Sequence, residues 1–209
     1  MPDSAAFAVF LTAAVILALT PGPGIFYVLA RSLQGGRRIG LASAFGTALG
    51  GLVHVTAAAL GLSALLATSA LAFSVVKYAG AAYLLYLGIR TLLLREAPPV
   101  AVAGPPAVAR RAFYQGIATE VLNPKTALFF LAFIPQFINP HGLVVVQFLL
   151  LGAISVLLNT SADLLVVTLA GPIGQRLQTR PRFRRGQQMF SGCMLLGLGT
   201  YVALSGERS

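Results

Sequence analysis

The chain has 209 residues, of which 57% are hydrophobic and only 10% charged, and its mean hydropathy is +0.84. A soluble domain of this size carries roughly a quarter charged residues, so the composition points to a polytopic membrane protein. The formal net charge of +10 does not indicate a nucleic-acid partner, because the basic residues sit in short segments between apolar runs, as topology signals do.

Six apolar segments follow one another at about 5–30, 40–67, 71–94, 112–138, 143–170 and 188–204. The start, Met1-Pro2-Asp3-Ser4, lacks the basic region of a signal peptide, so the first run is expected to remain in the protein. That run is uncharged from Ala5 to Ala30, long enough to cross a bilayer, yet Thr20-Pro21-Gly22-Pro23-Gly24 should break it. Non-helical backbone at membrane depth persists only where protein or a water-filled cavity satisfies its polar groups. A break of this kind is therefore a candidate binding site.

Arg31, Arg37 and Arg38 come next, in what reads as a short Gly-rich loop. The second segment holds Gly46 and Gly50 in a GxxxG spacing suited to close helix contact, and a lone imidazole, His54. In the third, Lys77 is placed to snorkel, and Tyr78, Tyr83 and Tyr86 suit interfacial or packing positions. Residues 95–111 have the Pro- and Ala-rich composition of a linker. The fourth segment is interrupted at Asn123-Pro124, and Asn139-Pro140-His141-Gly142 makes an uncharged turn into the fifth. A basic loop with Arg176, Arg180, Arg182, Arg184 and Arg185 leads into the sixth, where Cys193, the only cysteine, is expected to pack. One cysteine excludes an internal disulfide and a CxxC relay.

The loops after segments one, three and five hold nearly all the Lys and Arg, which places them in the cytoplasm with both termini outside. The expected fold is all-α: one transmembrane domain, 1–209, of six helices in two inverted three-helix repeats, about 5–94 and 112–205. The first helix of each repeat is broken, at Thr20-Pro21 and at Asn123-Pro124, and paired interrupted helices are a pointer to a transporter site. Each break opens the positive end of a half-helix, where a substrate carboxylate would be welcome.

Charges inside spans are functional candidates, and here they are few: Glu120, Lys125 and Asp163. Glu120 and Asp163 suit a substrate ammonium or a coupling proton. Glu120 and Lys125 would equally serve as a structural ion pair, and Asp163 as a partner for Lys125. His54 reads as a core residue or a proton relay, and Asn159, Thr160 and Ser161 as a polar path or as helix-to-helix bonds. No Walker-type GxxxxGK[ST] and no metal-ligand spacing occur, so neither ATP, nor a metal, nor another cofactor is expected.

Leu19 to Gly24, Val28-Leu29-Ala30-Arg31 and Gly35-Gly36-Arg37-Arg38-Ile39-Gly40 resemble the lysine-exporter (LysE/RhtB) family. So do Ala79 to Gly88, Phe113-Tyr114-Gln115-Gly116, and Leu122-Asn123-Pro124-Lys125 running into Phe129-Phe130-Leu131-Ala132-Phe133. The resemblance covers nearly the whole chain. It implies a bacterial inner-membrane exporter of amino acids or related small molecules, driven by an ion gradient, with H⁺ the expected coupling ion. The expected site is then Thr20, Pro21, Gly22, Pro23, Gly24, Asn123, Pro124 and Lys125 for the substrate, Asp163 and Glu120 for proton or ammonium, with His54 and Asn159 in secondary roles. A passive facilitator would use the same breaks, an intramembrane enzyme would have only His54 and Ser63 to work with, and a structural subunit would bind no small molecule. Lipid is the surrounding partner, and a homo-oligomer joined through Gly46 and Gly50 fits the GxxxG spacing.

Overall fold

The structure is a computed structural model, and it describes residues 3–68, 70–93, 109–170 and 180–204. All regular elements among these residues are helical. Helix α1, Ser4–Leu19, starts where Asp3 Oδ1 accepts from the Ala6 amide at 2.7 Å, an N-cap bond. It stops at Thr20, which is extended (φ −74°, ψ 115°) because the following Pro21 disfavours helical backbone before it. Pro23 then opens α2, Pro23–Thr68, at the first helical position, where its missing N–H loses nothing.

The anticipated loop around Arg31, Arg37 and Arg38 is not a loop. Helix runs on both sides of Gly36, whose φ of 70° and ψ of −169° form the only non-helical step inside α2. That backbone region is essentially closed to side-chain-bearing residues, so one glycine turns the chain and the arginines stay helical. The first arm of α2, 23–35, is tied to α4 (Ala109–Val121): Tyr27 Oη donates to the Ala112 carbonyl at 2.6 Å, and Arg31 donates to Gln115 Oε1 at 2.7 Å.

Helix α3, Ala70–Leu93, pairs with α7, Pro181–Leu204, while α2 packs most extensively on α4 and on α6, Val144–Leu169. Between α4 and α6 the chain passes through a short helix α5, Pro124–Leu128, a π turn at Phe129–Phe133 and a 3₁₀ turn at Ile134–Phe137. The π turn carries the aromatic core. Phe129, Phe133 and Phe137 follow one another with ring centroids 5.0 and 4.9 Å apart, and Phe10 of α1 and Tyr201 of α7 close on them at 5.7 and 5.5 Å.

Among the described residues, two helices are long and apolar enough to cross a membrane, within Pro23–Gly61 and at Val144–Leu169. The pair Ala109–Val121 and Pro124–Phe137, bent by 46°, makes a third if it is one span. Two further apolar helices are shorter: α1, whose 16 residues rise roughly 24 Å before its proline break, and Gln188–Leu204 within α7. Most of the expected linker, 94–108, and Arg176 lie outside the described residues.

Four residues depart from expectation. Lys77 does not snorkel: it is 1% exposed, because the helical period puts it on the buried stripe of Ala81, Leu84 and Gly88. Cys193 is exposed on α7 instead of packed. Gly46 and Gly50 face α4 of the same chain, so they are not free to join two copies. A Cβ at Gly46 would overlap the Phe113 carbonyl oxygen, and one at Gly50 would come within 2.8 Å of that of Ile117.

Gly46→Leu is accordingly expected to lower the melting temperature in detergent, by an overpacking penalty of about 1–3 kcal/mol or more. Gly61→Leu, where a Cβ meets nothing within 4 Å, is the control and should melt close to the parent.

Candidate functional site

The two proline breaks meet, and a lysine joins them. Lys125, the second residue of α5, reaches back across the first break and donates from Nζ to the carbonyls of Thr20 at 2.8 Å and Leu17 at 3.2 Å. These are terminal carbonyls of α1, where partial negative charge collects and a cation is favoured. Gly22 leaves the ammonium its path, since a Cβ there would stand 3.2 Å from Nζ. Lys125 therefore caps a helix end across the breaks rather than pairing with Glu120.

Glu120 ends up between the positive ends of both half-helices. Asn123 Nδ2 donates to its Oε2 at 3.1 Å and Thr126 Oγ1 to its Oε1 at 2.6 Å, both from the break into α5. On the other side, a Cβ at Gly24 would stand 2.6 Å from Oε2, so only glycine lets the first turn of α2 approach the carboxylate this closely. Asn123 also caps α5, its Oδ1 accepting from the Lys125 amide at 3.1 Å. That N-terminus thus already has protein partners. In α2 the first intrahelical bond is Phe26 N to Gly22 O at 3.0 Å, so the amides of Gly24 and Ile25 come ahead of it, and both residues line the cavity.

His54 lies beneath the second break. Its Nε2 is 3.0 Å from the Glu120 carbonyl, an acceptor, so Nε2 carries the hydrogen, and its ring stacks on Phe130. The side chain of Ser63, its only conceivable catalytic partner, lies outside the described residues.

Asp163 of α6 forms the far wall. Thr47 Oγ1 stands 2.8 Å from its Oδ2 and also 2.8 Å from the Ala44 carbonyl. A hydroxyl has one hydrogen for these two acceptors. With Asp163 ionised, Thr47 donates to the carboxylate; with Asp163 protonated, the acid can donate to Thr47, which then donates to Ala44. Asn159 and Thr160 line the same cavity, but their donors are bound one turn back, to Ser155 at 3.2 Å and Val156 at 2.8 Å. The cavity bounded by these groups offers only about 20 Å³ to the centre of a water molecule, so its side chains nearly fill it.

The LysE type translocator family model matches residues 15–206. The chain belongs to this family. It is a multi-pass membrane transporter and not an enzyme. A membrane protein of Vibrio cholerae is 32% identical over 93% of this chain and 94% of its own length. YrhP, a membrane protein of Bacillus subtilis, is 30% identical over 94% and 97%. A homoserine/homoserine lactone efflux protein of Salmonella typhimurium is 33% identical over 80% of each chain. No solved structure matches.

The structure thus brings Thr20, Gly22, Gly24, Glu120, Asn123, Lys125 and Asp163 to one place, with His54 at its edge. Sequence reading missed Thr47 and Thr126, the hydroxyls that hold the two carboxylates. Nothing in their local sequence separates them from the many Thr residues that bond one turn back, such as Thr12 and Thr160.

The contact of Gly24 with Glu120 is testable by a double-mutant cycle on thermal stability. Gly24→Ala should destabilise the parent clearly and a Glu120→Ala background less, with a coupling of roughly 0.5–3 kcal/mol. Additive effects would show that the two do not touch.

Proposed function

We propose that this chain exports amino acids or closely related small metabolites across the bacterial inner membrane. It works as a proton-coupled secondary transporter by alternating access. The observation that carries this reading is the convergence of two half-helix N-termini on one buried cavity that also holds Glu120, Asp163 and Lys125. In this reading six spans form two inverted repeats, about 5–94 and 112–205, with both termini outside and the basic loops in the cytoplasm.

The substrate carboxylate goes to the amides of Gly24 and Ile25, displacing Glu120 from the N-terminus of α2, with Lys125 assisting. Asn123 and Pro124 keep the second break open around it. Asp163, with Glu120, takes the ammonium or the proton. The Salmonella relative is named for homoserine and its lactone, compounds that share an ammonium group while only one has a carboxylate. A carboxylate such as Asp163 is the group that would recognise what they share. Since substrate cation and proton compete for that carboxylate, binding one expels the other, and substrate leaves as a proton enters.

Proteoliposomes loaded with labelled homoserine test this. An acidic exterior should drive efflux against a homoserine gradient in the wild type. Asp163→Asn should lose that gradient response by at least about tenfold, the equivalent of one group's proton coupling of ~1.4 kcal/mol. Gradient-driven efflux that survives Asp163→Asn would remove Asp163 from the mechanism, and exchange indifferent to pH in the wild type would make the protein a facilitator.

A further inference from the structure

On the other side of Lys125 lies a second, larger space. A cleft of about 450 Å³ opens between α1, the π turn and α7, within the range of small-molecule sites. Leu17 and Thr20 form its wall nearest the break, and their carbonyls are the ones that hold Lys125 Nζ. Lys125 also lines the polar cavity, so one side chain borders that cavity and bonds the wall of the cleft.

The cleft is mostly apolar. Ala13, Ile16, Phe133 and Leu198 line it together with the phenol-bearing Tyr201, and its two threonines spend their hydroxyls on their own helix: Thr12 donates to Ala8 at 2.8 Å and Thr20 to Ile16 at 2.7 Å. Gly197 of α7 keeps it open. Gly192 and Gly199 on the same helix have a packing reason, since a Cβ at either would crowd Leu92 or Ala81; a Cβ at Gly197 meets nothing within 4 Å. A glycine inside a helix costs about 1 kcal/mol relative to alanine, and here no close contact offsets it.

We propose that this cleft receives the apolar side chain of the exported zwitterion, which makes the transporter selective for amino acids with unbranched or branched aliphatic side chains. The inference rests on the exporter reading above. The polar cavity supplies the charged partners for the zwitterion's head, and its free space of about 20 Å³ leaves no room for a long aliphatic side chain. The adjoining cleft has that room, and its mostly apolar walls favour an apolar group.

The test compares counterflow of norleucine and homoserine in proteoliposomes made with wild type and with Gly197→Leu, a change that fills the cleft without moving backbone. The norleucine-to-homoserine ratio should fall at least about tenfold, as expected when apolar contacts in a pocket are blocked. An unchanged ratio with transport intact overturns the inference and leaves the exporter reading standing. So does a lipid that co-purifies with wild type and is lost from Gly197→Leu while the ratio stays constant. If neither amino acid moves, the exporter reading fails by itself and melting temperature decides the cleft. A rise with norleucine in wild type that is absent in Gly197→Leu supports it, and no rise overturns it.

Discussion

A broken helix inside a protein leaves carbonyls at one stump and amides at the other, and each needs a partner that the lost turn no longer provides. Here Lys125 supplies the partner for the C-terminal stump of α1, reaching it from α5 beyond the second break. His54 does the corresponding work at the end of α4, donating to the Glu120 carbonyl. Glu120 itself serves the opposite polarity and faces the amide ends of both α2 and α5. Lys125 and Glu120 thus tie the two breaks together, so a change at one break is felt at the other.

This shared arrangement explains why charged groups sit so deep. Glu120 is 7% exposed, Lys125 8% and Asp163 5%, and each has helix ends or hydroxyls as partners in place of water. Burial on this scale is expensive unless every group is bonded, which makes the cluster sensitive to any competing ion. A substrate that carries both a carboxylate and an ammonium competes with Glu120 for α2 and with the proton for Asp163. The tight geometry and the proposed transport chemistry then have one origin.

The breaks were legible in the sequence because proline acts locally: Pro21 ends α1 and Pro124 starts α5 whatever surrounds them. The buried charges were legible because apolar segments contain few. Tertiary direction was not. Whether Lys77 reaches a surface depends on which face of α3 meets α7, and whether Gly46 and Gly50 meet another copy or their own α4 depends on chain path. The loop expected after Arg31 reduced to Gly36 because one residue with positive φ can turn a helix, an outcome that composition does not distinguish from a longer loop. The π turn at Phe129–Phe133 left no trace either, since a segment apolar on every face shows no period to shift.

The measurement that bears most directly on the central claim is an experimental structure of the protein with homoserine bound. The account places the ligand carboxylate about 3 Å from the amides of Gly24 and Ile25, its ammonium toward Asp163, and Glu120 turned away from α2. Homoserine bound elsewhere, or with Glu120 still seated against Gly24, would contradict it.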